Sequence, residues 1–103
     1  MNTIRDEQTK ELTAFITRRY LETGNDSTVK EMAEGLGWSA SKVRAVIDHN
    51  RGALPGMCSQ REARESFSKD YPSMQAGAHM VFVYGPTRAT LRAMIVASER
   101  NPQ

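Results

Sequence analysis

Hydrophobic positions in the first half of the chain recur at helical spacing in three segments, residues 6–23, 29–36 and 40–50. Within each segment the apolar side chains lie three and four positions apart, which places them on one face of a helix. The members are Leu12, Phe15, Ile16 and Tyr20, then Val29, Met32, Ala33 and Leu36, then Val43, Val46 and Ile47. The pattern predicts three amphipathic helices that share one core.

Capping and turn residues mark the ends of these helices. Thr28 and Glu31 have the spacing of a capping box, in which both side chains satisfy amides at a helix start. Gly37 follows the second helix, and glycine adopts the left-handed conformation that ends a helix without steric cost. Ser39 is a typical N-cap for the third helix. The second and third helices are therefore separated by a very short turn.

The second half of the chain contains segments whose residues are typical of β-strands. Residues 80–84 are β-branched or aromatic for the most part and predict a strand. Residues 62–68 are ambiguous, and we favour a strand there, so that residues 62–84 form a hairpin with its tip at residues 70–77. The alternative is a short helix over residues 60–67, started by a second capping box.

Residues 88–99 predict a fourth helix with apolar side chains on two sides. The two sets are Leu91, Met94 and Ile95 on one side, and Ala89, Ala93 and Val96 on the other. A terminal helix on a monomer needs only one apolar stripe. We expect the first set to pack on the domain and the second to meet another copy of the chain. The alternative is that the hairpin and the first helix cover both sides.

Several large side chains are expected to serve packing alone. Trp38 stands in the tight turn, where contact between helices is favoured over stacking on a base. The side chains expected in the core are Met32, Phe82, Tyr84 and Met94.

Length and composition describe one small domain over residues 1–103. No apolar run approaches the ~18 residues needed to span a bilayer, and the first residues lack the pattern of a signal peptide. The single cysteine, Cys58, cannot form an internal disulfide and fits a reducing compartment. We therefore expect a cytoplasmic protein.

No residues have the spacing of a metal site or a catalytic centre. His49, Cys58 and His79 are scattered, without the short ligand spacing that zinc requires. Residues 85–87 lack the pattern of a phosphate-binding loop. A Cys–His nucleophile pair is the one catalytic arrangement left open. The sequence predicts a binding protein without metal or cofactor, rather than an enzyme.

Charge is divided unevenly along the chain, whose net charge is +2. Residues 1–37 contain five basic and seven acidic side chains, whereas residues 38–103 contain nine basic and five acidic ones. The predicted third helix and hairpin lie in the basic half. This asymmetry indicates one basic surface, although its charge alone does not name a polyanion as the partner.

The second and third predicted helices resemble the helix–turn–helix of DNA-binding proteins. Ala33 is the small residue where the two helices meet, Gly37 follows it by four in the turn, and Val43 and Val46 face the core. With the hairpin and the last helix, the order of elements resembles the winged helix–turn–helix domain of MarR-like and ArsR-like bacterial regulators.

This resemblance implies an α+β fold, mainly α, in which residues 40–50 form the recognition helix and residues 62–84 the wing. Residues 52–79 are longer than a minimal wing requires. The implied DNA contacts are Ser39, Ser41, Lys42, Arg44, Ala45, Asp48, Arg51, Arg61, Arg64 and Lys69. Arginine reads guanine most often, a small residue can approach a thymine methyl group, and the outlying cations would contact phosphates. Asp48 would pair with Arg44 or accept from a cytosine amine.

The implied function is a sequence-specific double-stranded DNA-binding regulator, a repressor that occupies a promoter. A homodimer is expected because one recognition helix reads only a few base pairs. One alternative is a protein-interaction module in a replication, transfer or defence-related assembly, without direct DNA reading. Another is an architectural DNA-binding protein with little sequence preference.

Overall fold

Helices α1 to α3 and a small antiparallel sheet form the body of the molecule, and helix α4 follows them. The computed structural model describes residues 3–66 and 77–100, with the side chains of residues 3–63 and 80–98. The described part is an α+β fold, mainly helical. The helices are α1 (Thr3–Thr23), α2 (Val29–Leu36), α3 (Ala40–His49) and α4 (Arg88–Arg100), and the strands are β1 (Ser27–Thr28), β2 (Met57–Ser66) and β3 (Gly77–Pro86).

The core lies between the first three helices, as their apolar stripes predict. Its fully buried side chains include Leu12 and Ile16 of α1, Met32 of α2, and Val43 and Val46 of α3. Helices α1 and α2 approach so closely at Gly35 that a Cβ atom there would overlap the Phe15 ring. A close approach of these helices is therefore made at a glycine that the sequence pattern did not single out, two residues beyond Ala33.

The start of α2 is built from the predicted capping box and a contact to α1. The Thr28 hydroxyl accepts from the Glu31 amide at 3.1 Å, and Glu31 Oε1 accepts from the Thr28 amide at 3.0 Å. Glu31 Oε2 pairs with Arg19 at 2.5 Å, so one carboxylate caps α2 and holds it against α1. Gly37 ends the helix with a φ of 69°, in the left-handed region.

The sheet has the order β1–β3–β2, with both pairings antiparallel. Strand β2 covers residues 57–66, so the alternative of a short helix there is wrong and the strand begins five residues before its predicted start. Strand β1 was not predicted, because two residues are too few to show alternation and both belong to the helix-start signal. The predicted tip at residues 70–77 lies outside the described residues, except for Gly77.

Helix α4 starts as predicted but does not pack as predicted. The Thr87 hydroxyl accepts from the Thr90 amide at 3.1 Å, and the Thr90 hydroxyl donates to the Gly56 carbonyl at 2.8 Å. Yet no residue among 88–98 is buried. Leu91, Met94 and Ile95 were expected to pack on the domain. That expectation is wrong for Ile95, of which 59% is exposed, whereas Leu91 is half-buried. Ala89, Ala93 and Val96 are exposed, so the alternative in which the hairpin and α1 cover both sides of α4 is wrong.

Two other side chains expected in the core are also exposed. Met94 lies on α4 and is 41% exposed, while Phe82 lies on β3 and is 56% exposed. Both side chains are apolar, but they lie on elements that extend beyond the three-helix core. The molecule is accordingly elongated, with principal extents of 55 × 32 × 21 Å.

Candidate nucleic-acid interface

Helix α3 is held in place by its apolar face and by its first residue. Val43, Val46 and Ile47 are buried against α1 and α2. The Ser39 hydroxyl accepts from the Lys42 amide at 3.1 Å, as its predicted capping role requires. That bond uses a lone pair of Ser39 and leaves its hydroxyl hydrogen available to donate.

Two polar contacts anchor the end of α3 to the beginning of α1. His49 Nε2 lies 3.0 Å from Asp6 Oδ1. The Asn50 amide donates to the Thr9 hydroxyl and to the Val46 carbonyl, each at 2.9 Å. Neither anchor was predicted, because both join residues more than 40 positions apart. Together with the buried face they orient α3 rigidly on the body.

The opposite face of α3 is open to solvent. Ser41, Arg44 and Asp48 are exposed there, with the small Ala45 half-buried among them. Within the described residues, the side chains of Ser41 and Arg44 make no hydrogen bond or ion pair. The ion pair that helical spacing allows between Arg44 and Asp48 is therefore absent, and Arg44 has no partner in the part of the chain that the structure describes.

Lys42 lies on the flank of α3 and not on this open face. Its ammonium group is 4.3 Å from the centre of the Trp38 ring, within the range of a cation–π contact. Trp38 is itself half-buried and packs against the core, which confirms its predicted structural role. Lys42 therefore lies at the edge of the candidate surface, and its ammonium group already contacts the Trp38 ring.

Two further exposed arginines, Arg51 and Arg61, lie outside α3. Arg51 directly follows the helix in the left-handed region, with a φ of 56°, and is exposed. Arg61 lies on β2, opposite Phe82 of β3 in the strand register, and its guanidinium is 5.9 Å from the centre of that ring. An arginine over an aromatic face keeps its charge while the ring orders it.

The hairpin, formed by β2 and β3, has one exposed apolar side. Met80, Phe82 and Tyr84 alternate along β3 and share one side of the sheet. Tyr84 is buried at the base of that side, where burial and, secondarily, the charge of Asp48 raise the pKa of its hydroxyl. Asp48 belongs to the open face of α3, so its charge acts on Tyr84 at the base of this side of the hairpin.

Two predicted contact residues extend further along the hairpin. The backbone of Arg64 pairs with His79 in the β2–β3 ladder, but its side chain is outside the described residues. Lys69 lies outside them altogether. The exposed pair Met80 and Phe82 is the part of this surface that the sequence analysis missed, although alternation along residues 80–84 already separates them from Val81 and Val83.

The described part of the chain shows no metal site and no membrane-spanning helix. No three His, Cys, Asp or Glu side chains there come together as metal ligands. Among the described helices, none is long and apolar enough to cross a membrane. Comparison with protein-family models, with curated proteins and with solved structures finds no match to this chain.

Proposed function

We propose that this protein is a sequence-specific double-stranded DNA-binding regulator, with α3 as its recognition helix and the hairpin as a wing. The observation that carries the proposal is the contrast between the two faces of α3. One face is held by burial and by the contacts of His49 and Asn50, while the other presents Ser41 and Arg44 to solvent without partners among the described residues. A helix that reads base edges needs both properties.

The composition of the open face agrees with major-groove readout. A free arginine can bind guanine O6 and N7 together, and the neighbouring serines can donate to phosphates or accept and donate at base edges. Arg51, which directly follows α3, and Arg61 of the wing would add phosphate contacts that carry affinity rather than sequence information. The proposal includes repression by promoter occupancy and a cytoplasmic location.

Selection from a pool of random duplexes tests this proposal first. We expect a short enriched sequence, and the same sequence should be bound at micromolar protein or lower. Failure to enrich any sequence, with no salt-dependent binding to duplex DNA, would overturn the proposal. If no sequence is enriched but the protein binds duplex DNA strongly and in a salt-dependent way, the result would favour an architectural DNA-binding protein.

The variant Arg44→Ala then tests the open face. Loss of a bidentate base contact should weaken binding to the selected sequence by about 1–3 kcal/mol and relax the preference at one base pair. Arg92→Ala, which removes an exposed arginine from α4, is the matched control and should leave the sequence preference unchanged. Equal losses in both variants would assign the effect to charge alone.

Arg61 is expected to behave differently from Arg44. Arg61→Ala should weaken binding to all duplexes alike and reduce the slope of log affinity against log salt concentration by about one unit. A loss confined to one sequence would show that Arg61 reads a base.

A protein-interaction module is the second candidate function, and the exposed apolar side of the hairpin favours it. Met80 and Phe82 are 54% and 56% exposed, side by side on one sheet face. Apolar exposure of this kind is typical of protein contact surfaces. The substitution Phe82→Ser distinguishes the candidates. It should leave the selected DNA sequence unchanged and weaken binding to any duplex no more than Arg61→Ala does, whereas it should abolish a protein contact made through this face.

A further inference from the structure

Helix α4 has the composition of a buried helix and the surroundings of an exposed one. Its 13 residues include Leu91, Met94, Ile95 and Val96, yet none of residues 88–98 is buried. A helix of this length is marginal in water without tertiary contacts. The exposed apolar side chains of α4 are therefore available for a further contact, which would stabilise the helix.

An open groove of about 430 Å³ lies beside this helix. One wall is the outer face of α1, with Thr13, Thr17 and Leu21, and the opposite wall is Met94 of α4 itself. Pro55, Met57 and Thr90 are among the remaining lining residues. Leu21 is 58% exposed, so the groove joins an apolar position of α1 to the uncovered side of α4.

We propose that a second copy of this chain occupies the groove with its own α4, and that the two copies exchange these helices about a two-fold axis. Each copy has both the groove and an exposed α4 beside it. Each copy can therefore bind the α4 of the other in the same way, as a self-complementary interface requires. The inference gives an interface to the homodimer expected from the sequence, and it rests on the proposed function only in expecting both copies on one duplex.

The distribution of charge on α4 agrees with this arrangement. Thr90 and Met94 line the groove, and the exposed Arg88 and Arg92 project from the opposite side of the helix by the helical repeat. The flanks between these two sides are largely apolar. A second helix can therefore lie along α4 without burying Arg88 or Arg92, and Arg18 on the α1 wall is the charged side chain that it would meet in the groove.

The available area fits a stable dimer. A helix of 13 residues is ~20 Å long and about 10 Å wide with its side chains. Covering half its surface together with the matching groove in the same copy approaches the ~800 Å² that each partner buries in a stable interface. That is about a tenth of the 7675 Å² accessible surface of one chain.

Sedimentation of the full chain without DNA tests the proposal. We expect a dimer at micromolar concentration, and Ile95→Glu and Leu21→Glu should each raise its dissociation constant by at least about 30-fold, the effect of a hot-spot residue. Arg92→Glu, on the charged side of the same helix, is the control and should leave the dimer intact. Circular dichroism should show all three variants folded, because the three positions are exposed.

Cross-linking between two different chains tests the groove itself. Two single-cysteine chains, Leu21→Cys and Ile95→Cys, each in a Cys58→Ser background, are mixed and mildly oxidised. We expect the mixed disulfide to predominate, since α4 of one copy lies against α1 of the other. Predominant self-linking through position 95 would show that the helices meet without entering the groove, which overturns the proposal.

The outcomes separate this inference from the function. A native chain that stays monomeric, free and on DNA, would overturn the exchanged dimer and leave DNA binding in place. A dimer with the expected cross-link that binds no duplex would overturn the proposed function and leave the interface standing. A dimer unaffected by Leu21→Glu would refute the groove as its binding slot.

Discussion

Helices α3 and α4 have comparable apolar stripes and opposite surroundings. In α3, Val43, Val46 and Ile47 are buried, and two side chains near its end anchor it to α1. In α4, residues of the same kind remain exposed, and the described hydrogen bonds from its start reach only the Gly56 carbonyl. The difference shows that an apolar stripe predicts one buried side of a helix but does not identify the residues that bury it.

The comparison also divides the functional roles. The packed helix holds the candidate DNA-reading face steady, because its position is determined by many contacts at once. The uncovered helix is free to satisfy its apolar sides on another molecule. Regions that make few buried contacts open more readily than the core, and α4 is the clearest example here.

The largest expected effect comes from a charge placed in the packed region. Ala33→Glu should reduce the free energy of unfolding by about 3 kcal/mol or more, because the carboxylate would lose its water where α2 meets the core. Urea denaturation measures the change. Ala93→Glu, on exposed α4, should cost less than about 0.5 kcal/mol at a concentration where the chain is monomeric. Equal losses would erase the contrast between the two regions.

A smaller loss is expected where α1 and α2 nearly touch. The added methyl of Gly35→Ala would overlap the Phe15 ring, so overpacking should lower the free energy of unfolding by about 1–3 kcal/mol. Combining it with Phe15→Leu should recover part of the loss, since the smaller side chain makes room. A stabilised Gly35→Ala variant would mean that helix propensity outweighs the contact.

Two matched threonine caps sharpen the comparison further. Thr28→Ala at the start of α2 should lower the free energy of unfolding by about 1 kcal/mol, the usual worth of an N-cap. Thr87→Ala removes the equivalent cap from α4. In the monomer it should increase amide hydrogen exchange in α4 with little change in global unfolding. A full loss of global stability from Thr87→Ala would show that α4 unfolds together with the core.

The smallest effect concerns alkaline pH. Burial, and secondarily the charge of Asp48, raise the pKa of Tyr84, so the native state retains this proton longer than the unfolded chain. The stability it contributes is fully present below pH ~10 and is lost as the pH rises through the raised pKa. Tyr84→Phe should therefore reduce the loss of stability above pH ~10, measured by urea denaturation across that range. An unchanged pH dependence would contradict the assigned burial.

Sequence reasoning succeeded where the signal is local. The capping box of Thr28 and Glu31, the left-handed Gly37 and the cap at Ser39 each depend on a few neighbouring residues, and each is present in the structure. The division of α3 into a buried and an open face follows from its helical period alone. Most members of the candidate DNA-contacting face could thus be chosen without coordinates.

It failed where a residue's surroundings depend on distant parts of the chain. Phe82 and Met94 are as apolar as core residues, but nothing in their neighbours indicates that their elements extend past the core. Strand β1 exists only because β3 lies beside residues 27 and 28. The expected Arg44–Asp48 pair was plausible by helical spacing, yet the spacing does not oblige the two side chains to meet.

The amino-acid sequence by itself determined the elements of this protein, their ends and the polarity of their faces, because these follow from backbone sterics, capping and periodicity over short distances. The tertiary structure alone decided which apolar faces are covered. It also decided that Glu31 caps one helix while pairing with Arg19, and that His49 anchors α3 to Asp6. Such contacts join residues 12 to 43 positions apart, whose meeting depends on the packing of whole helices.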